Sequence, residues 1–489
     1  MNHLKNKSHH KIVILGAGFG GLGMAAQLKM AGINDFVVLE KGSDIGGVWR
    51  DNTYPGAACD VESHLYCYSF FLHLRVTNSY AGQAEFMRYM NELVDKFDLR
   101  EHIVLNAEIS KAYWDDKEKQ WDFTLQNDTT FSGNYFIPAW GQLNIPNFPH
   151  IEGVELFKGT YFHSARWDHS VDLTNKKVGS IGAAASAVQY IPEIAPKVEH
   201  LTVFQRSANW VIPREKTAFS KEDIAEFIND PELFKASRQA LYDIKEQNFF
   251  SLKQGSKAQE KAIQLAKDYL NTAVTDPKLR EKLVPAYEYG CKRILITSDY
   301  YPTLQRSNVT VETEPIQAFY EDGIITKDGQ KHPLDVVVFG TGFKSHAFHG
   351  NLEITGFNGA SLSELWVDGA SAYLGITVPN FPNMFLLYGP NTNLNHSSIL
   401  LMLEAQQQYI IQAIEEMEQS NIAGIIVNQK IYEDFNEQLQ EDLKTTAFST
   451  SCSSWYKNSE GKIINNWSGS VRDYEAAVAS FNIADFSQI

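Results

Sequence analysis

The chain has 489 residues, 44% hydrophobic and 21% charged, an ordinary globular composition with length for two or three domains with buried cores. With 43 Lys and Arg against 59 Asp and Glu the net charge is −16, which argues against nucleic acid or an anionic membrane as the main partner. The four cysteines, Cys59, Cys67, Cys291 and Cys452, form no Cys-x-x-Cys pair and no zinc-spaced cluster, so no disulfide framework is expected and a reducing cytoplasm fits best.

Lys5, Lys7 and Lys11 precede an apolar stretch from Ile12 to Leu28, the outline of a signal peptide or short anchor. Five glycines inside it, Gly16, Gly18, Gly20, Gly21 and Gly23, fit a nucleotide-binding strand-turn-helix better. Ile12-Val13-Ile14-Leu15 feeds into Gly-x-Gly-x-x-Gly at Gly16, Gly18 and Gly21. Gly16 permits the tight turn, Gly18 lets backbone approach a pyrophosphate, and Gly21 lets helix and strand pack closely. A second strand, Phe36-Val37-Val38-Leu39, ends in Glu40, placed to accept hydrogen bonds from a ribose. No other stretch is long enough to span a bilayer.

Further along, Ala112 to Phe131 reads as a hairpin and Asn144 to Gly153 as a linker. A second, degenerate fingerprint follows at Val178 to Ala187, with Gly182 retained and Ala184 in place of a glycine. Its next strand, Leu201-Thr202-Val203-Phe204, ends in Gln205-Arg206-Ser207. No acid stands there, and a basic residue suits the 2′-phosphate of NADPH. An acid-ended and a base-ended site in one chain point to FAD plus NADPH.

Residues 216 to 290 carry apolar positions at helical spacing and a helix start at Asp276-Pro277, so they read as a helical insertion. Strands resume at Val309 to Val311 and Leu334 to Phe339, and helices dominate the C-terminal part, including Ser397 to Glu416. The expected fold is α/β, with two Rossmann-like dinucleotide-binding domains and the insertion in the second. The FAD part covers 1–145 and 376–489. The NADP part covers 150–215 and 291–375, with the insertion over 216–290.

Several segments together resemble the Baeyer–Villiger type of flavoprotein monooxygenase. They are Gly46-Gly47-Val48-Trp49 with the following Tyr54-Pro55-Gly56 and Asp60-Val61-Glu62-Ser63, and the signature Phe157, Gly159, His163, Trp167 with Asp168. Gly290-Cys291-Lys292-Arg293, Asp299-Tyr300-Tyr301, Gly340-Thr341-Gly342-Phe343 and Gly389-Pro390-Asn391 complete the match, which runs roughly from Lys11 to Ala479. Val48, Trp140 and Ala184 depart from the usual pattern.

The resemblance implies that NADPH reduces FAD and that O₂ adds to the flavin as a C4a peroxide. That peroxide attacks a ketone or other carbonyl to give an ester or lactone. It implies that Arg293 is the active-site arginine, favouring the anionic peroxide, and that Asp60 positions it. A unit charge about 4 Å away is worth roughly 4 kcal/mol at an effective dielectric constant of about 20, equivalent to about three pKa units. The fingerprints and the resemblance together give the expected cofactor-binding set: Gly16, Gly18, Phe19, Gly21, Glu40, Lys41, Gly47, Val48, Trp49, Asp60, Tyr66, Ile109, Gly182, Ala184, Ser186, Ala187, Arg206, Ser207 and Lys292, with no metal. His163 is expected as a hydrogen-bonded strut, and His396 either lines the site or caps the helix after it. The alternatives are an N- or S-oxygenating flavin monooxygenase, a disulfide reductase and a non-catalytic nucleotide-binding module. Cys59 and Cys67, eight residues apart, do not fit the redox pair that a disulfide reductase needs.

Overall fold

The computed structural model describes residues 8–489; Lys5 and Lys7, part of the leader-like pattern, lie outside the described residues. The first β-branched runs lie side by side in a four-stranded parallel sheet. Ile12–Leu15 and Phe36–Leu39 are central, Tyr135–Pro138 flanks the first and Ile103–Val104 the second. All residues of Phe36–Leu39 and Tyr135–Pro138 are buried, as expected for strands covered on both faces. On one face lies the fingerprint helix Phe19–Met30, against which the long helix Ile399–Gln419 packs. Trp114, Trp121 and Phe123 share a core with Val13, Val37 and Leu39 on the other face. They belong to strands Ile109–Asp115 and Gln120–Leu125, which form an antiparallel pair at the expected hairpin, with Thr130–Gly133 beside them.

The second sheet repeats the plan. Its five parallel strands run in the order Val309–Glu312, His200–Phe204, Lys177–Ile181, Val336–Phe339 and Thr160–His163. In each sheet the strand entering the fingerprint is flanked by its successor on one side and a later strand on the other. The fingerprint turn therefore opens at the crevice where strand order reverses, the usual ligand position of doubly wound sheets. Both turns are built alike. Gly16 (φ +100°) and Gly182 (φ +108°) take left-handed backbone, and a Cβ on either would strike the carbonyl oxygen of the neighbouring strand's exit, Ala139 at 2.8 Å or Gly340 at 2.3 Å.

The insertion consists of helices Lys221–Asn229, Pro231–Asn248, Lys257–Ala273 and Pro277–Lys282, each started by a side-chain cap: Ser220, Asp230, Ser256 and Asp276. Two chain crossings link the sheets and run antiparallel, Asn147 N–H to Gly342 O (2.9 Å) and Lys344 N–H to Ile145 O (2.9 Å). Among the described residues no helix is long and apolar enough to cross a membrane.

One expectation is corrected. Cys291 and Cys452, 161 residues apart, form a disulfide with a Cα–Cα separation of 6.3 Å, whereas Cys59 and Cys67 are free and buried. Pairing of that kind is set by how distant segments meet, and sequence spacing carries no sign of it.

Gly21 makes the tightest turn-to-helix contact: a Cβ there would stand 1.9 Å from Gly16 O. Gly21→Ala is expected to destabilise the fold by about 1–3 kcal/mol through overpacking, read as a lowered midpoint in thermal unfolding.

Candidate active site

The first crevice is assembled from three loops. Gly16 N–H donates to Leu39 O (2.9 Å), and Gly46 N–H donates to Ala17 O (2.8 Å), drawing the 46–49 segment over the fingerprint turn. Gly18 and Gly47 then face each other so closely that a Cβ on Gly47 would lie 3.1 Å from the Gly18 Cα. Helix Phe19–Met30 starts at Gly18 with no side-chain cap, so its leading N–H groups point into the crevice unclaimed by a side chain. Glu40, 4% exposed, accepts from Ala17 N–H (2.8 Å), Gly42 N–H (2.7 Å) and Arg50 Nη1 (2.8 Å). Arg50 also binds Asp51 (2.8 Å). The sequence reading missed Arg50, although its place one residue after Trp49 was a usable signal.

Phe19 packs among Tyr66, Tyr68, Phe86 and Tyr89, with ring centroids 5.4–6.2 Å away. Trp49 lies on Phe86 (4.4 Å) and meets Tyr66 edge-on (5.9 Å). Val48 is exposed, and the exposed Lys41 reaches Asn144 at 3.5 Å. Ile109 is buried in the core behind the sheet with Val37 and Leu39, where it contacts protein rather than the open crevice.

At the second crevice Gly182 and Ser186 flank Ala184, which is exposed, and helix Ala187–Ile194 begins at Ser186 without a side-chain cap. Lys292 Nζ stands 3.2 Å from Ser207 Oγ and 4.6 Å above the Tyr287 ring. Burial and the neighbouring Arg206 cation lower the Lys292 pKa from its ordinary value. No acidic partner of Arg206 or Lys292 is found among the described residues. Arg206, Ser207 and Lys292, read separately from sequence, thus form one cationic cluster.

Between the crevices, Arg293 meets Asp60 in a bidentate pair, Nε to Oδ2 at 3.0 Å and Nη2 to Oδ1 and Oδ2 at 2.8 Å each. Both side chains are partly buried. Asp60 foremost holds the arginine well above its ordinary pKa, so it stays cationic. Nη1 has no hydrogen-bond partner among the described residues. Burial raises the pKa of Tyr388 and of the fully buried Tyr456, and the nearby arginine cation opposes that rise in both.

The two halves of this site are clamped. Gln189, on the second fingerprint helix, accepts from Tyr54 Oη (2.8 Å) and donates to Ala58 O (2.9 Å), just ahead of Asp60. The insertion braces the segment after Asp60. Lys245 Nζ binds Glu62 (2.9 Å), and Arg238 Nη1 donates to the carbonyls of His64, Leu65 and Cys67 at 2.9–3.2 Å. Arg238 and Lys245 are two helical turns apart on one face and both buried. That spacing was visible in sequence, but their burial was not.

His163 accepts from Ala165 N–H (3.1 Å), and its ring lies between Phe148 and Phe343 of the two crossings. Burial lowers its pKa to about 4, so near neutral pH it is an uncharged strut. His396 caps nothing, because Ser398 caps helix Ile399–Gln419. It is buried against Phe249, 3.9 Å from Glu246.

Two uncapped fingerprint turns facing a shared arginine–carboxylate pair define a two-dinucleotide flavoprotein oxidoreductase. Residues 13–262 match the family described as pyridine nucleotide-disulphide oxidoreductase. A Baeyer–Villiger monooxygenase of Pseudomonas aeruginosa is 36% identical over 98% of this chain and 91% of its own length. One of Streptomyces coelicolor is 36% identical over 99% and 93%. A solved cyclohexanone monooxygenase from Rhodococcus sp. Phi1, bound to NADP+, superposes with a TM-score of 0.89 at 27% identity, covering 99% of each chain. The chain belongs to the Baeyer–Villiger monooxygenases, within the broader fold family that also includes the disulfide oxidoreductases.

Removing Arg50 would leave the buried Glu40 carboxylate short of its one cationic partner among the described residues. Arg50→Ala is expected to destabilise the protein by about 3 kcal/mol and to weaken flavin retention, measured by denaturant unfolding and by the flavin-to-protein absorbance ratio.

Proposed function

We propose that the protein is an FAD- and NADPH-dependent Baeyer–Villiger monooxygenase that inserts one oxygen atom of O₂ beside the carbonyl of a ketone, yielding an ester or lactone and water. The observation that carries this reading is the bidentate Asp60–Arg293 pair standing between two fingerprint turns. The working location is the cytoplasm, where NADPH is supplied.

The residues fit both cofactors. The close Gly18–Gly47 approach, where a Cβ on Gly47 would come within 3.1 Å of the Gly18 Cα, and the uncapped helix start suit a pyrophosphate. Gly16, Gly18, Phe19, Gly21, Glu40, Lys41, Gly47, Val48, Trp49, Asp60 and Tyr66 would hold FAD. Ile109 would contribute only through the wall behind Glu40. Gly182, Ala184, Ser186, Ala187, Arg206, Ser207 and Lys292 would hold NADPH, the last cluster because unneutralised cations favour a 2′-phosphate. Bound FAD, once reduced by NADPH, supplies the electrons that activate O₂.

Arg293 performs the electrostatic work. Asp60 engages Nε and Nη2, fixing the guanidinium plane and leaving Nη1 free to donate. The fixed cation stabilises negative charge that builds on the substrate's carbonyl oxygen, and it does so without reorganising during the reaction. Ala184, where a glycine is usual, adds only a methyl at an exposed position of the second turn, so its effect on NADPH binding is modest. Heteroatom oxygenation is not favoured, since the full-length relatives are Baeyer–Villiger monooxygenases.

A panel of cyclic and linear ketones, analysed for one ester or lactone per NADPH consumed, tests the activity. A panel in which only amines or sulfides are oxygenated would overturn it. Arg293→Ala is expected to retain flavin and NADPH-driven flavin reduction while ester formation falls about a hundredfold or more; unchanged ester formation removes the role given to Arg293. Arg206→Ala should raise KM for NADPH about ten- to a hundredfold, with little change for NADH, in steady-state kinetics.

A further inference from the structure

The disulfide lies next to the active-site arginine. Cys291 is wholly buried and immediately precedes Lys292 and Arg293, while Cys452 is partly exposed in the turn over residues 447–457. That turn approaches Arg293 a second way, through the buried Tyr456, whose Oη donates to Asn395 Oδ1 at 2.8 Å. On its other side the insertion holds the turn: Gln254 Nε2 donates to Thr446 O (2.7 Å) and Ser449 Oγ (2.8 Å). Gly290 sits on Ala447 so closely that a Cβ there would come within 2.9 Å of the alanine methyl. The disulfide is the one covalent tie between the arginine's segment and this turn among the described residues.

We propose that the Cys291–Cys452 bond is a redox-sensitive positioning device for Arg293. Oxidised, it holds the 290–293 segment against the turn and keeps the guanidinium in its place on Asp60. Reduced, the turn and the segment part more readily, and the arginine loses part of its preset geometry. The proposal rests on the role given to Arg293 above. The reductant is a dithiol. Its thiolate attacks the Cys452 sulfur, the more exposed of the two, forming a mixed disulfide and releasing the Cys291 thiolate, which takes a proton. The second thiol of the reductant then displaces Cys452, which leaves as a thiol, and closes the reductant's own disulfide. Two electrons and two protons pass to the protein. In a reducing compartment a disulfide at such a site serves regulation better than permanent stapling.

The holoenzyme, purified without reductant, is denatured in iodoacetamide and mapped by mass spectrometry. Label is expected on Cys59 and Cys67, and a linked peptide pair at Cys291 and Cys452. On treating the native holoenzyme with dithiothreitol, peptides over 446–457 and 290–296 should exchange amide hydrogen about tenfold faster. Ester formed per NADPH consumed should fall about fivefold, with NADPH-driven flavin reduction changed by less than about twofold, as expected when a catalytic group is misplaced but the cofactors stay bound. Cys452→Ser should reproduce the reduced state and ignore dithiothreitol; if that variant misfolds, reduced and oxidised wild type carry the same comparison. Label on all four cysteines of the unreduced enzyme overturns the proposal. So does exchange that is equal in both redox states, turnover that ignores a demonstrated reduction, or reduction of the bond by NADPH alone, which would make it an electron acceptor of the flavin. If no ketone is oxidised in either state the proposed activity fails, while hydrogen exchange still decides whether the bond holds the arginine segment.

Discussion

Asp60 and Arg293 come from opposite crevices, 233 residues apart, and their bidentate contact constrains everything around it. A partly buried carboxylate and guanidinium each lose water, and only close, well-directed pairing compensates that loss. The pairing requires the two parallel sheets to hold one relative position. Gln189 on Tyr54 and Ala58, the antiparallel crossings and the uncharged His163 between Phe148 and Phe343 all act toward that end. The hydrogen bonds of Gln189 and of the crossings are made across the boundary between the sheets, so displacing the halves would strand several polar groups at once.

The two fingerprint turns solve the same steric problem with different chemistry at their far ends. Each has a left-handed glycine pressed on a neighbouring carbonyl and a helix start without a side-chain cap. The first strand pair ends in Glu40, already held by two backbone N–H groups and Arg50. The second ends in Arg206 and Ser207, joined by Lys292 from the far side of the insertion. A carboxylate held by donors accepts from a ribose hydroxyl, whereas a cluster of unneutralised cations calls for an extra phosphate. These charges support the proposed placing of FAD in the first crevice and NADPH in the second.

The helical insertion braces the site with buried charge. Arg238 satisfies three carbonyls of the 64–67 segment, and Lys245 pairs with Glu62, two residues beyond Asp60. Truncating such a group leaves uncompensated partners in a desolvated place, so the brace is stiff although its net contribution to stability is small. Such stiffness supports the role proposed for Arg293, because a preorganised cation acts on developing charge only if it stays where it is.

Local chemistry in the sequence determined the elements. Runs of β-branched residues before glycines, Glu40 and Arg206 at strand ends, and caps such as Asp276 each act over a few residues, so the strands, the fingerprint turns and the helical character of 216–290 were legible without the fold. The family resemblance located Arg293 and Asp60, but residue types alone do not distinguish that pair from a surface ion pair. Tertiary structure decided what depends on approach of distant segments: the contact between Asp60 and Arg293, the gathering of Lys292 with Ser207, the burial of Arg238 and Lys245, and the bond between Cys291 and Cys452. Desolvation and pairing are properties of a place in space, and a side chain acquires them only when the packed chain brings its neighbours to it.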